Sequence, residues 1–172
     1  AHGISVEGVK VDVAKMIARK DGIVTKMTKG IEFLFRKNKI TWLKGTGVLG
    51  ANKSVKVTGA DGKVETHTAT KGVVIATGSR VKGLPQIGLE LDRQLILSSD
   101  EALTLDKAPA TIAVIGAGAV GCEFADVFNA FGSKVTILEV MNRILPVEDE
   151  DCSVELAKAF KKRGIEIITG AK

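Results

Sequence analysis

Thr111-Ile112-Ala113-Val114-Ile115-Gly116-Ala117-Gly118-Ala119-Val120-Gly121-Cys122-Glu123-Phe124 decides the fold: a β-branched apolar run leads straight into glycines spaced G-x-G-x-x-G and then into a helical pattern. Each glycine has its own task in such a turn. Gly116 permits the tight reversal, Gly118 leaves no Cβ between the backbone and a pyrophosphate, and Gly121 lets the following helix pack close to the strand. The first N–H groups of a helix have no partner within it, so the backbone here offers donors to an anion. The glycine spacing by itself is weak; its surroundings give it weight. Val120, Phe124, Val127, Phe128 and Phe131 recur at helical spacing, and Gly132 falls where a left-handed cap would end that helix. A second strand at 134–138 follows at once and ends in Glu139. A carboxylate about 20 residues past the motif is placed to accept hydrogen bonds from a ribose 2′-hydroxyl. Its charge favours NAD, because the 2′-phosphate of NADP would be repelled, while the nearby Arg143 pulls the other way.

Downstream, a loop containing Pro146 leads to a helix over 149–163, with Val154, Leu156, Ala157 and Phe160 as its inward face, then to Gly164 and a third strand at 165–169. The order β-α-β-α-β is half of a doubly wound sheet, and right-handed crossovers make its strands parallel. Upstream, apolar residues from Val13 to Phe35 recur every three or four positions, giving one long helix over 11–39 or two broken near Asp21-Gly22. Strands at 40–48, 53–58 and 63–70 follow, the last two joined by an Asp61-Gly62 turn, and together they make an antiparallel meander. The run 71–76 reads as a strand buried in a larger sheet, ending in Thr77-Gly78-Ser79. Turn formers over 80–94 mark a boundary, and Ser98 or Ser99 caps a helix through Leu105, with Asp100 and Glu101 in its first turn.

Composition removes several function classes. The 172 residues are 45% hydrophobic, enough for a core, and no apolar run approaches the roughly 20 residues of a membrane helix. The net charge of +5 is spread along the chain rather than blocked, which argues against nucleic-acid binding. Cys122 and Cys152 form no C-x-x-C, zinc spacing or disulfide framework, which fits a reducing compartment and no metal. His2 and His67 have no acid at a suitable spacing and read as surface residues. A start at Ala1 rather than Met, with no leader-like pattern, points to an excised piece.

Three signals in this order carry a resemblance: Gly45-Thr46-Gly47 in a meander, residues 74–79 ending in Thr77-Gly78-Ser79 with Leu84-Pro85 after it, and Gly116 to Glu123 with Glu139. The chain resembles the middle of the flavin-dependent pyridine nucleotide-disulfide oxidoreductases over essentially its whole length, and most closely their dihydrolipoyl dehydrogenase branch. The resemblance implies an α/β fold made of parts of two Rossmann-like domains: the later part of an FAD-binding domain with its connecting segment, 1–98, and the first half of an NAD-binding domain, 99–172. It implies that Gly47, Thr77, Gly78 and Ser79 lie against FAD. It also implies that Gly116, Ala117, Gly118, Ala119, Val120, Gly121, Cys122, Glu123 and Glu139 hold NAD. Glu123 has two readings: an acid near the nicotinamide and flavin rings, or an ordinary charge in the first helical turn, favoured by the dipole. Cys122 reads as a small core residue rather than a redox thiol.

The family's own flavin fingerprint, C-x4-C disulfide and His-Glu pair are not in these residues. The resemblance therefore makes the chain an inactive fragment of an enzyme that oxidises dihydrolipoamide with NAD through FAD. Expected partners are lipoyl domains of 2-oxo acid dehydrogenase complexes and a second subunit; the expected compartment is a bacterial cytoplasm or an organelle matrix, not the exterior. Two alternatives stand beside this: a stand-alone, non-catalytic NAD-binding module, and a fragment of a glutathione or mercuric reductase-like branch.

Overall fold

The computed structural model describes residues 7–171. Two compact units form, one from Asp21–Leu84 and the other from Pro85–Lys172 together with the stretch ending at Lys20. Helix α1 (Val13–Lys37) supplies residues to both. It runs unbroken through Gly22, because a helix tolerates an isolated glycine at a cost of about 1 kcal/mol. Asp12 caps its start, its carboxylate accepting from Lys15 N at 3.0 Å. Its end closes by the N–H of Ile40 donating to Phe35 O at 2.9 Å, with Lys39 left-handed at φ 55°.

In the Asp21–Leu84 unit, β1 (Thr46–Leu49), β2 (Ser54–Thr58) and β3 (Val64–Thr68) form an antiparallel sheet in the order β1-β2-β3. The turn from 59 to 62 closes through Gly59 N donating to Lys63 O at 2.8 Å. Gly45 sits just before the sheet, where a Cβ would lie 2.3 Å from Thr58 O, so the meander itself demands glycine there. Two expected strands are corrected. Residues 40–45 are not strand, because β2 ends opposite Thr46 and leaves them nothing to pair with. Trp42 instead sets its ring edge-on to Phe35 at 6.1 Å, with Lys44 Nζ 4.3 Å from the indole centroid. Residues 71–76 likewise form no ladder, and Val74 and Ile75 are 88% and 71% exposed, since a strand without a neighbour leaves its backbone groups to water.

The Pro85–Lys172 unit holds every buried residue among those described. Short helix α2 (Ser99–Ala102), which ends before the expected Leu105, opens with a capping box: Ser98 Oγ accepts from Asp100 N, and Glu101 accepts from the Ser98 N–H and hydroxyl. Strand β4 (Thr111–Ile115), helix α3 (Ala119–Ala130), strand β5 (Lys134–Glu139), helix α4 (Glu150–Lys162) and strand β6 (Glu166–Thr169) then build a parallel sheet in the order β4-β5-β6. This is the β-α-β-α-β half-sheet that the sequence indicates. Ala125, Phe128, Val135, Ile137, Phe160 and Ile165 form its core. The buried residues of α3 are Cys122, Ala125 and Phe128, with Phe124 and Phe131 packed partly buried against the core; of the five apolar residues at helical spacing only Val120 and Val127 face outward, 57% and 43% exposed, and the small Cys122 and Ala125 are buried instead. On α4, Val154 is likewise exposed, and Ser153 takes a buried place by donating its hydroxyl to Ile144 O at 2.6 Å.

His2 lies outside the described residues. His67 does have an acid beside it: Glu65, two positions back on the same face of β3, brings a carboxylate oxygen within 3.3 Å of Nε2, a pairing the strand alternation creates. No helix among the described residues is long and apolar enough to cross a membrane.

Candidate functional site

The end of β4 builds the site. Gly116 N donates to Leu138 O at 2.8 Å, so the sheet ladder continues to the first glycine before the chain reverses with Gly116 at φ 95°, a value that costs glycine little. Helix α3 begins at once with Gly118 as its N-cap, which offers no side chain to the first amides. The first bond within the helix at this end is Cys122 N to Gly118 O, so the N–H groups of Ala119, Val120 and Gly121 precede the helical ladder. A Cβ on Gly121 would fall 2.1 Å from Gly116 O and 3.3 Å from Val114 Cγ1, which fixes glycine by the closeness of helix to strand. At Gly118 nothing lies within 4 Å of an added Cβ, so the second glycine faces open space. The turn thus has the three features a pyrophosphate needs: a bare approach, uncapped helical amides and a helix dipole pointing at it.

Glu139, at the tip of β5, is buried with 6% exposure and grips this turn. One carboxylate oxygen accepts from Ala117 N at 2.7 Å, the other from Met141 N at 2.8 Å. The acid expected at the ribose is therefore also a backbone anchor, joining the glycine turn to the loop after β5. The Ala117 peptide is held on its other side too, where its carbonyl accepts from Leu145 N at 2.7 Å and from the Cys122 thiol at 3.5 Å. Arg143 is spent within its own loop, donating to the carbonyls of Leu145, Pro146 and Glu148 at 3.4, 3.1 and 2.9 Å. Cys122 is buried under the turn, and desolvation first, then the nearby Glu139 charge, push its thiol pKa up, so it sits as a protonated core side chain. Cys152 is exposed.

Glu123 is exposed on α3, one position beyond its first turn, which contains no acid. The first-turn reading of this residue is corrected accordingly: the dipole acts within the first turn and favours it little. With Asp126 and Arg163, which bond each other, Glu123 lines an open groove between α3 and α4. In the other unit, Gly47 pairs with Val57 in the meander, and Thr77-Gly78-Ser79 lies in an exposed irregular stretch with Gly78 at φ 73°. Reading the sequence missed Leu145 and Ser153. Leu145 contributes through its backbone N–H, which every non-proline residue carries, and Ser153 through a hydroxyl bonded to Ile144 O, which reads in sequence like any helix-surface serine.

Residues 4–172 match the family model described as pyridine nucleotide-disulphide oxidoreductase. A dihydrolipoyl dehydrogenase of Cupriavidus necator is 47% identical over 169 residues, 98% of this chain and 35% of that protein. The Bacillus subtilis dihydrolipoyl dehydrogenase is 39% identical, with 99% and 37% covered. Among solved structures, LpdA from Mycobacterium tuberculosis superposes with a TM-score of 0.84 at 26% identity, covering 95% of this chain and 36% of that one. The chain thus spans about a third of the length of these relatives. It belongs to the pyridine nucleotide-disulphide oxidoreductase family, whose members use flavin and pyridine nucleotide.

Proposed function

We propose that the chain is the cofactor-holding middle of an NAD-dependent dihydrolipoyl dehydrogenase, with residues 1–98 from its FAD domain and 99–172 from its NAD domain. The observation that carries the NAD assignment is the buried Glu139 carboxylate at the tip of β5, beside the glycine turn. Each carboxylate oxygen has two lone pairs and uses one on a backbone N–H, leaving the other to accept from a ribose hydroxyl. A 2′-phosphate at the same place would meet a buried negative charge. Arg143, the residue suited to neutralise such a phosphate, is bonded to three carbonyls instead.

In this reading Gly116, Ala117, Gly118, Ala119, Val120, Gly121 and Cys122 hold the dinucleotide through backbone groups, with Glu139 on the ribose. Glu123 orients the nicotinamide end, and Gly47, Thr77, Gly78 and Ser79 lie against FAD. A bound flavin would supply two-electron transfer between a thiol–disulfide pair and the nicotinamide. The complete protein oxidises dihydrolipoamide carried on lipoyl domains of 2-oxo acid dehydrogenase complexes, works as a homodimer, and resides in a bacterial cytoplasm or organelle matrix. The names of the relatives support the substrate, and the relatives themselves include bacterial and mitochondrial proteins.

The test uses the full-length protein containing this segment. Dihydrolipoamide is expected to reduce NAD, and NADH to bind more tightly than NADPH. Tighter NADPH binding would overturn the role of Glu139. Reduction of the flavin by NADH without turnover of dihydrolipoamide would move the chain to a glutathione or mercuric reductase-like branch.

A further inference from the structure

Arg143 stands outside the glycine motif, yet its side chain is committed to three carbonyl oxygens, those of Leu145, Pro146 and Glu148, in the loop between β5 and α4. At the centre of this loop Leu145 is left-handed, with φ 47°. A non-glycine residue pays roughly 1–2 kcal/mol for that conformation, and it persists only where the surroundings hold it. They hold it on both sides. The Leu145 carbonyl accepts from Glu148 N at 3.0 Å and from Arg143 Nη1, while its N–H donates to Ala117 O at 2.7 Å. Ala117 is fully buried between the first two glycines of the dinucleotide turn, and its own N–H is taken by Glu139. The two peptide units that meet at Ala117 are therefore each held by the segment that runs from Glu139 to Leu145, one through the Ala117 N–H and the next through its carbonyl, and the guanidinium fork bonds the Leu145 end of that segment.

We propose that Arg143 is a positioning residue for the dinucleotide, acting through Leu145 and the Ala117 peptide without touching the cofactor. The proposal rests on the reading of Gly116 to Glu123 as the NAD turn and extends it to a residue outside the motif. An arginine suits the task because its planar fork reaches several carbonyls at once, and a lysine ammonium offers a single point of attachment. When the fork is lost, Leu145 relaxes toward a right-handed or extended conformation. Its N–H then leaves Ala117 O, and the turn samples shapes in which the amides of Ala119 to Gly121 no longer converge. The loss falls on pyridine nucleotide binding and leaves the flavin and thiol side intact.

The experiment compares wild type, R143K and R143M in the full-length, FAD-loaded protein, measuring NADH and NADPH affinity by calorimetric titration of the anaerobic, fully reduced protein, where added NADH finds no electron acceptor, and the KM and kcat for each substrate. R143M is expected to weaken NADH binding and raise the KM for NAD about tenfold, the size of effect that relayed coupling produces. Its kcat at saturating NAD and its KM for the thiol substrate stay within about twofold, and R143K lies between it and wild type. Unchanged NADH affinity in R143M overturns the proposal. So does a loss confined to NADPH, which would make Arg143 a phosphate ligand, or equal losses on both substrates, which would make it a general stabiliser. If R143M does not fold, R143K decides: NADH affinity equal to wild type overturns the proposal, and a severalfold loss supports it. A wild-type protein that binds no NADH defeats the NAD reading itself, and the proposal falls with it.

Discussion

A single hydrogen in place of a methyl group sets the geometry at Gly121, because the Gly116 carbonyl oxygen occupies the space a Cβ would need. The obstacle is backbone rather than a flexible side chain, so Gly121→Ala must push α3 away from β4. Overpacking of this kind costs about 1–3 kcal/mol. We expect G121A to lower the denaturation midpoint of the full-length protein and to weaken NADH binding, while Gly118→Ala, with open space around it, weakens NADH binding at little cost in stability. Chemical denaturation and NADH titration of the two variants check this; a G121A protein as stable as wild type would mean that the helix is not held against the turn. The residue types at 116, 118 and 121 announce this site in the sequence. The double duty of Glu139 is not announced, because a carboxylate that accepts from backbone amides looks the same in sequence as one waiting for a ribose.

Within the connecting element between residues 92 and 101, two carboxylates organise the backbone. Asp92 accepts from the N–H groups of Gln94, Leu95 and Ile96 at 2.8 Å each, and these donors, Gln94 foremost, hold its pKa below the ordinary carboxylate value. Glu101 is lowered chiefly by the hydroxyl and then the N–H of Ser98, with a smaller contribution from Arg93. A depressed folded-state pKa stabilises the ordered segment at pH values above the ordinary carboxylate range, and that contribution is lost as pH falls through the lowered values. The amides of residues 94–98 are thus expected to lose protection from hydrogen exchange on acidification earlier than those of β5. In Asp92→Asn, protection at 94–96 is expected to vary much less with pH; an acid response identical to wild type would remove Asp92 as its cause. A cap at Ser98 or Ser99 is legible in the sequence, and the structure selects Ser98 and closes it with Glu101, whereas the Asp92 turn is not legible, since an aspartate among turn formers is unremarkable until three amides converge on it.

At the scale of the whole molecule, the described core lies entirely in the parallel β-α-β-α-β unit, and α1 and the meander bury nothing fully. Met27, Ile31, Phe33 and Leu34 of α1 are each more than half exposed. Apolar patches of this kind drive association when no partner covers them. The isolated 172-residue chain is therefore expected to self-associate, as read by analytical ultracentrifugation across a concentration series. A monodisperse monomer that melts cooperatively would contradict this.

Local patterning in the sequence by itself determined the parallel half-sheet, the meander, the glycine turn and the acid at the end of β5, because these depend on periodicity of two or 3.6 residues and on glycines that chain geometry demands. Tertiary structure alone decided that Val120 and Val127 of α3 face outward, that residues 40–45 and 71–76 lack strand partners, and that Glu139 and Leu145 converge on the Ala117 backbone while Arg143 holds the Leu145 loop. Those outcomes depend on hydrogen-bond partners distant in the chain or on backbone groups that every residue carries alike, and neither leaves a trace in the order of side chains.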